Sequence, residues 1–228
     1  MVTSIERNKV GCGEAPEARS ESVPPVDQNP VAEFRITYGD EVTQQESFLV
    51  GEEVVEDVDC TVIEFFYTPP ASRLSSDGAT TAKLLSGKVW IAKATGEWIR
   101  LESKREIMGD TVTVVATNVF RFNVPLSVGQ SWLFDMDVSL IPERAPSSRY
   151  TYRGEVVSRE DIVVPAGTFM SFRVELSLVA ADGMELEDPA VQSVLWIDVD
   201  THREIKRESF SRWQEMETAE LVYNSPLH

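Results

Sequence analysis

From Phe34 onward apolar and polar residues alternate along most of the chain. A period of two is what a strand with one buried face writes into its sequence. The pattern is clearest at residues 163–176, VVPAGTFMSFRVEL, where Phe172, Val174 and Leu176 share one face and Ser171, Arg173 and Glu175 share the other. Pro165-Ala166-Gly167 marks a tight turn just before them, because proline presets a turn dihedral and glycine tolerates a strained one. Residues 111–122 place Val112, Val114, Ala116, Phe120 and Phe122 on one face. Residues 60–67, CTVIEFFY, are β-branched and aromatic and are stopped by Thr68-Pro69-Pro70. Segments 88–94 and 97–103 flank Thr95-Gly96, a hairpin turn. Further strands are expected at 34–38, 48–50, 131–140, 148–160, 192–198, 203–210 and 212–223. One weak helical patch stands at 81–85, and no strand–helix alternation is visible, so a parallel α/β sheet is not expected. The pattern predicts an all-β fold, a large curved antiparallel sheet or half-barrel.

An internal echo adds organisation. Val89-Trp90-Ile91, Thr95, Ile99 and Glu102-Ser103 recur as Leu195-Trp196-Ile197, Thr201, Ile205 and Glu208-Ser209, at one constant shift (90 to 196, 103 to 209). A looser match pairs 34–38 with 150–152 and 46–50 with 160–164. The expectation is one β domain over 33–228 containing two repeated β units, 34–124 and 125–223.

Residues 1–32 read differently. Residues 13–30, GEAPEARSESVPPVDQNP, are rich in Pro, Glu and Ser with almost no apolar periodicity. Such a stretch buries too little surface to offset the entropy of ordering, so 1–32 is expected to be a disordered tail or linker. The first ten residues lack the apolar core of a signal peptide, and no run of apolar residues is long enough for a transmembrane helix. Val10-Gly11-Cys12 has the small-residue-then-cysteine form of a lipidation site, but Arg7, Asn8 and Lys9 precede it where apolar residues belong. An incidental cysteine in a tail is the plainer reading. Only two cysteines occur, Cys12 and Cys60, so little follows about redox compartment.

The chain carries 38 acidic and 21 basic side chains, a formal net charge of −17. Such a surface repels phosphate backbones and anionic lipid headgroups, which sets nucleic-acid binding aside.

Pro125-Leu126-x-Val128-Gly129-x-x-Trp132, then Val164-Pro165-Ala166-Gly167-Thr168-Phe169 with Arg173-Val174-Glu175, then Trp196 before Ile205-Lys206-Arg207-Glu208 form a set of blocks. In these the sequence resembles the TapB-like group of bacterial envelope proteins, over residues 34–223. The resemblance implies an antiparallel curved sheet with the look of the half-barrels of lipoprotein carriers. It also implies an exported, often lipid-anchored protein, and it brings no catalytic residues and no cofactor.

Chemistry is sparse. His228 is the last residue, and His202 lies in Asp198-Val199-Asp200-Thr201-His202, expected at a hairpin tip. Asp198, Asp200 and His202 are weak candidate metal ligands, against the plainer reading of a polar turn. Asp135 and Asp137 share a strand face and form an acid–base or metal candidate, against a solvated face. Glu52, Glu53, Glu56, Asp57 and Asp59 make an acidic turn region without the glycine of a calcium loop. No nucleophile elbow, phosphate loop, dinucleotide fingerprint or Cys-x-x-Cys pair occurs. The expectation is a non-enzymatic extracytoplasmic protein whose concave face binds a lipid, another apolar molecule or a segment of an envelope partner. Trp90, Phe120, Trp132 and Trp196 are the candidate cleft residues. A purely structural or interaction module is the alternative, and a metal-dependent hydrolase using Asp198, Asp200 and His202 is a third.

Overall fold

A computed structural model of the protein describes residues 30–67, 83–107, 110–122, 125–143, 145–211 and 214–224. Among them run twelve strands and no helix: β1 (Ala32–Tyr38), β2 (Glu41–Val55), β3 (Val58–Tyr67), β4 (Lys83–Ala92), β5 (Trp98–Ile107), β6 (Asp110–Phe120), β7 (Ser131–Ile141), β8 (Ser148–Val164), β9 (Gly167–Ala181), β10 (Met184–Asp198), β11 (Glu204–Ser211) and β12 (Gln214–Asn224). The fold is all-β and antiparallel, as the alternation predicts. Each strand pairs with its neighbour in sequence, and β1 also pairs with β12 in the register Ile36↔Ala219. The curved sheet therefore closes into a barrel, which satisfies the backbone donors and acceptors that an open half-barrel would leave on two edges. Cys12 and almost all of the expected tail lie outside the described residues; Ala32, its last residue, already belongs to β1.

Two local expectations change. The acidic run at 52–59 is strand and not loop: Glu52 pairs with Thr61 and Glu53 with Cys60. Only Glu56 and Asp57 turn, both with positive φ (51° and 64°), the backbone of a two-residue hairpin whose twist matches its strands. Acidic content masks a strand there because one face of the hairpin is solvated. Of the helical patch, residues 81–82 lie outside the described residues, and Lys83, the first residue of β4, pairs with Glu106 of β5. Sheet pairing overrides the helical propensity of Lys and Leu.

The interior is uneven. Around β7–β10 it is filled by Phe122, Leu126, Phe134, Val156, Phe172, Val174, Leu176, Leu195 and Ile197, with Trp132 and Tyr152 packed against them. Phe172, Val174 and Leu176 thus face the core, as their alternation predicts. Phe134 and Tyr152 stack at 5.6 Å between centroids. The tip of the β8–β9 hairpin turns against the other end of the ring: Val164 packs with Ile205 and Leu221, and the Ala166 N–H donates to the Leu221 carbonyl. The β4–β5 and β10–β11 turns meet at Gly96 and His202.

Candidate functional site

Where the interior is not filled, the barrel holds a partly open cavity of about 500 Å³, within the range of small-molecule sites. Its walls come from β1–β6 and β10–β12. Alternation decides which side chains reach it. On β3 the odd positions Thr61, Ile63, Phe65 and Tyr67 line it, on β4 Val89 and Ile91, and on β5 Trp98, Leu101, Ser103 and Arg105. Gly87 makes room for the ring of Phe65: a Cβ there would collide with it. Trp98 and Phe120 lie tilted against each other, 4.9 Å between centroids.

Across the ring the wall is charged. Glu204, Arg207 and Ser209 of β11 and Glu217 of β12 line it. The Arg207 guanidinium lies 3.3 Å from the Glu204 carboxylate and 3.5 Å from that of Glu217. Only 8% of the Glu204 side chain is exposed. Burial pushes its carboxyl above the usual carboxylate range; Arg207 pulls it back and Glu217 adds to the rise. These residues escape a search for catalytic motifs because they are neither a nucleophile nor a histidine. The signal in sequence is their alternation, Glu204, Arg207 and Ser209 falling on one face once the extra residue of β11, Ile205, opposite Trp196–Ile197 is allowed for.

Of the four aromatics expected in a cleft, Phe120 lines the cavity. Trp132 belongs to the filled side, where its indole N–H donates to the Arg121 carbonyl at 2.6 Å and its ring lies over Gly154. Trp90 and Trp196 alternate with cavity-lining or core residues and so occupy the opposite face of the sheet. There Trp90 packs in a buried cluster with Cys60, Val62 and Ile99, and both indoles are also covered by charged neighbours. The Trp90 N–H donates to Glu53 at 2.9 Å, with Arg100 over its ring at 5.4 Å. The Trp196 N–H donates to Glu160 at 2.9 Å, with Lys206 at 4.8 Å and Arg173 at 6.0 Å from its ring. A tryptophan so covered looks like core in sequence, and only the strand's phase tells which side it occupies. Trp98, which does line the cavity, was not among the candidates because the bulge between Trp98 and Arg100 breaks its alternation.

The Asp198–His202 segment is a self-bonded turn. One Asp198 carboxylate oxygen accepts from the Asp200 N–H at 3.2 Å and from the Thr201 N–H and hydroxyl, both at 2.7 Å. Those bonds make the segment a turn closed by its own aspartate side chain. No group of three or more metal-ligating side chains occurs among the described residues. Asp135 and Asp137 share an outward face, but each is taken by a cross-strand partner: Thr151 donates to Asp135 at 2.7 Å, and Arg149 pairs with Asp137 at 2.7 Å and 3.0 Å. Arg149 holds the Asp137 carboxyl below the usual range. Cys60 is a buried free thiol, its pKa pushed up by desolvation. No helix among the described residues is long and apolar enough to cross a membrane.

No known protein family and no curated protein matches the chain. Three solved structures are similar at low identity. A Parabacteroides distasonis protein, provisionally named a lipoprotein, is 12% identical with a TM-score of 0.48 over 84% of this chain and 92% of its own. The hypothetical lipoprotein YmcC of Escherichia coli is 9% identical with a TM-score of 0.46 over 87% of each chain. A Bacteroides fragilis protein, provisionally named an exported protein with a YmcC-like fold, is 10% identical with a TM-score of 0.43 over 84% of this chain and 92% of its own. These comparisons name YmcC-like lipoproteins and exported proteins, and not the TapB-like group.

Proposed function

We propose that the protein is a non-catalytic extracytoplasmic binding barrel that holds one largely apolar molecule in its interior. The observation that carries this reading is the cavity of about 500 Å³ beside a filled core in the same barrel. A barrel with no ligand to hold gains by filling its interior, since side chains beside a void lose dispersion contacts. The β7–β10 side is filled with Phe and Leu, whereas the other side keeps serines and a glycine at lining or adjacent positions: Ser47, Ser103, Ser193 and Gly87. The extracytoplasmic location rests on the sequence resemblance to envelope proteins. The same reading takes the ring as two six-strand units, β1–β6 and β7–β12. Its support is the Trp-carboxylate-cation arrangement that occurs at Trp90 with Glu53 and Arg100 and again at Trp196 with Glu160 and Lys206.

Binding of the neutral apolar dye N-phenyl-1-naphthylamine to the full chain tests the function. The dye should bind with enhanced emission, and Ile63→Trp, which puts an indole into the cavity, should abolish this while Val163→Trp, at a site 77% exposed, should not. Equal binding by both variants would place the dye elsewhere and defeat the reading.

A further inference from the structure

Strands β5 and β11 stand on opposite sides of the ring and line the cavity from matching positions. Trp98, Leu101 and Ser103 on β5 stand 106 residues before Glu204, Arg207 and Ser209 on β11, the same shift that relates Trp90 to Trp196. The serines are kept, while the other two positions exchange an indole and an isobutyl group for a carboxylate and a guanidinium. An apolar body therefore has one wall to lie on, made by Ile63, Phe65, Val89, Trp98, Leu101 and Phe120. What its head group can be depends on the charges opposite.

The lining carries the cations Lys93, Arg105, Arg203 and Arg207 and the carboxylates Glu204 and Glu217. All six are committed. Arg207 lies 3.3 Å from Glu204 and 3.5 Å from Glu217. The Lys93 ammonium pairs with Glu52 at the rim, Arg203 feels the charge of Asp198, and the Arg105 Nε donates to the Ser103 hydroxyl at 3.4 Å. Arg105, Arg203, Arg207 and Glu217 are engaged by further neighbours as well. With the outside partners Glu52 and Asp198, four carboxylates answer four cations, so the chain's net charge of −17 is not carried into the cavity. A charged head entering here would have to break one of these pairs or lie without a counter-charge. Away from water, either costs more than the new contact returns. Beside the charges stand neutral polar side chains, among them Ser47, Ser103, Ser193 and Ser209. Ser193 and Ser209 are cross-strand partners, and Ser47 and Ser103 are buried. A hydroxyl both donates and accepts, so it serves an uncharged head and brings no charge of its own. Resting on the reading of the cavity as a binding site, we propose that its ligand is an uncharged amphipath, with an apolar body on the β3–β6 wall and a hydroxyl or carbonyl head at the serines of β5, β10 and β11.

Isothermal titration of the full chain with octanol, octylamine and octanoate at pH ~8 tests this, because histidine is then neutral and an alkylamine still protonated. Octanol should bind about tenfold more tightly than either charged ligand. Any apolar pocket would show part of that preference, so the variants decide. Glu217→Gln, which leaves a cation in excess, should bring octanoate level with octanol. Arg207→Gln, which leaves a carboxylate in excess, should do the same for octylamine. The double variant Arg207→Gln/Glu217→Gln restores the balance and should restore the tenfold preference. Glu143→Gln, at an exposed site, should change none of these ratios. Octanol binding by each variant reports an intact cavity, and if one variant loses it altogether the other two decide. A charged ligand that matches octanol on the wild type, or one unchanged octanol preference in the wild type and both single variants, would overturn the inference and leave the apolar cavity standing. If none of the three binds but N-phenyl-1-naphthylamine does, the inference also falls alone. If the dye fails as well, the cavity reading falls with it.

Discussion

Gly96 and His202 touch where the two turns meet: a Cβ on Gly96 would lie 2.6 Å from the His202 carbonyl oxygen and 3.0 Å from its Cβ. Both residues adopt left-handed backbones, φ 74° and 55°. Glycine visits that region freely, but histidine does so at a cost that its surroundings must offset. The nearest of these atoms is backbone, so a side chain at position 96 would collide whatever residue stood at 202. Gly96→Ala should lower unfolding free energy by about 2–3 kcal/mol, from the backbone penalty and the collision together. Gly129→Ala is the control: its φ is 84° and nothing lies within 4 Å of the added Cβ, so only the backbone cost, about 1 kcal/mol, should appear. Equal losses in urea denaturation would show that the contact between turns contributes nothing.

The two covered tryptophans should differ from Trp98 in their response to ligand. A contact quencher such as 1-bromooctane, taken into the cavity, should quench indole emission chiefly at Trp98, which lines it. Trp98→Phe should remove most of that quenching, and Trp90→Phe and Trp196→Phe should leave it in place. The last two should instead lose stability, about 1 kcal/mol each, from the missing donor to Glu53 or Glu160. Quenching that survives Trp98→Phe would put the apolar molecule somewhere other than this cavity.

Glu204 ties stability to pH. Burial raises its carboxyl on folding, so the folded state holds the proton more tightly than the unfolded one. The resulting stabilisation is fully present below the unfolded value, ~4.3, and is lost as pH rises through the raised folded value. Glu204→Gln keeps the hydrogen-bonding shape without the titration. The wild type should therefore lose stability relative to Glu204→Gln as pH rises from ~4.3 upward, read as the difference in denaturation midpoints. A difference that is flat with pH would mean that Arg207 fully compensates the buried charge.

Cys60 is fully buried and its thiol is shifted upward by desolvation, both of which suppress the thiolate that reacts. In a Cys12→Ser variant, labelling by a disulfide reagent should be slow under native conditions and fast in urea. Rapid native labelling would require opening of the β2–β3–β4 region.

The strand pattern was legible where one face is apolar, as at Phe172, Val174 and Leu176, and at 60–67, which became β3. It misled where the polar face carries carboxylates, so that the β2–β3 hairpin read as an acidic loop. Closure was not legible, because β1 pairing with β12 joins residues about as far apart in sequence as strands can be, and no local signal encodes such a register. The cavity was half legible. Phe120 lines the cavity beside Val119, so an irregularity in β6 and not plain alternation brings it there, and Trp98 is hidden by the same break in register. Trp90 and Trp196 are buried but face away from the cavity, Trp90 among Cys60, Val62 and Ile99 and both beside Arg or Lys, and only the phase of the strand tells the two faces apart. Glu204 and Arg207 were invisible as a site, since a carboxylate and a guanidinium three apart read as a surface pair until burial is known.

The β1–β12 seam has a consequence for folding. The chain can zip β1 through β12 by successive hairpins, each contact local. Until β1 meets β12, the growing sheet exposes two unpaired margins and its apolar inner face is open to solvent. The one pairing distant in sequence is therefore the one that shuts the vessel, and whatever is to occupy the interior has its widest entrance before that moment.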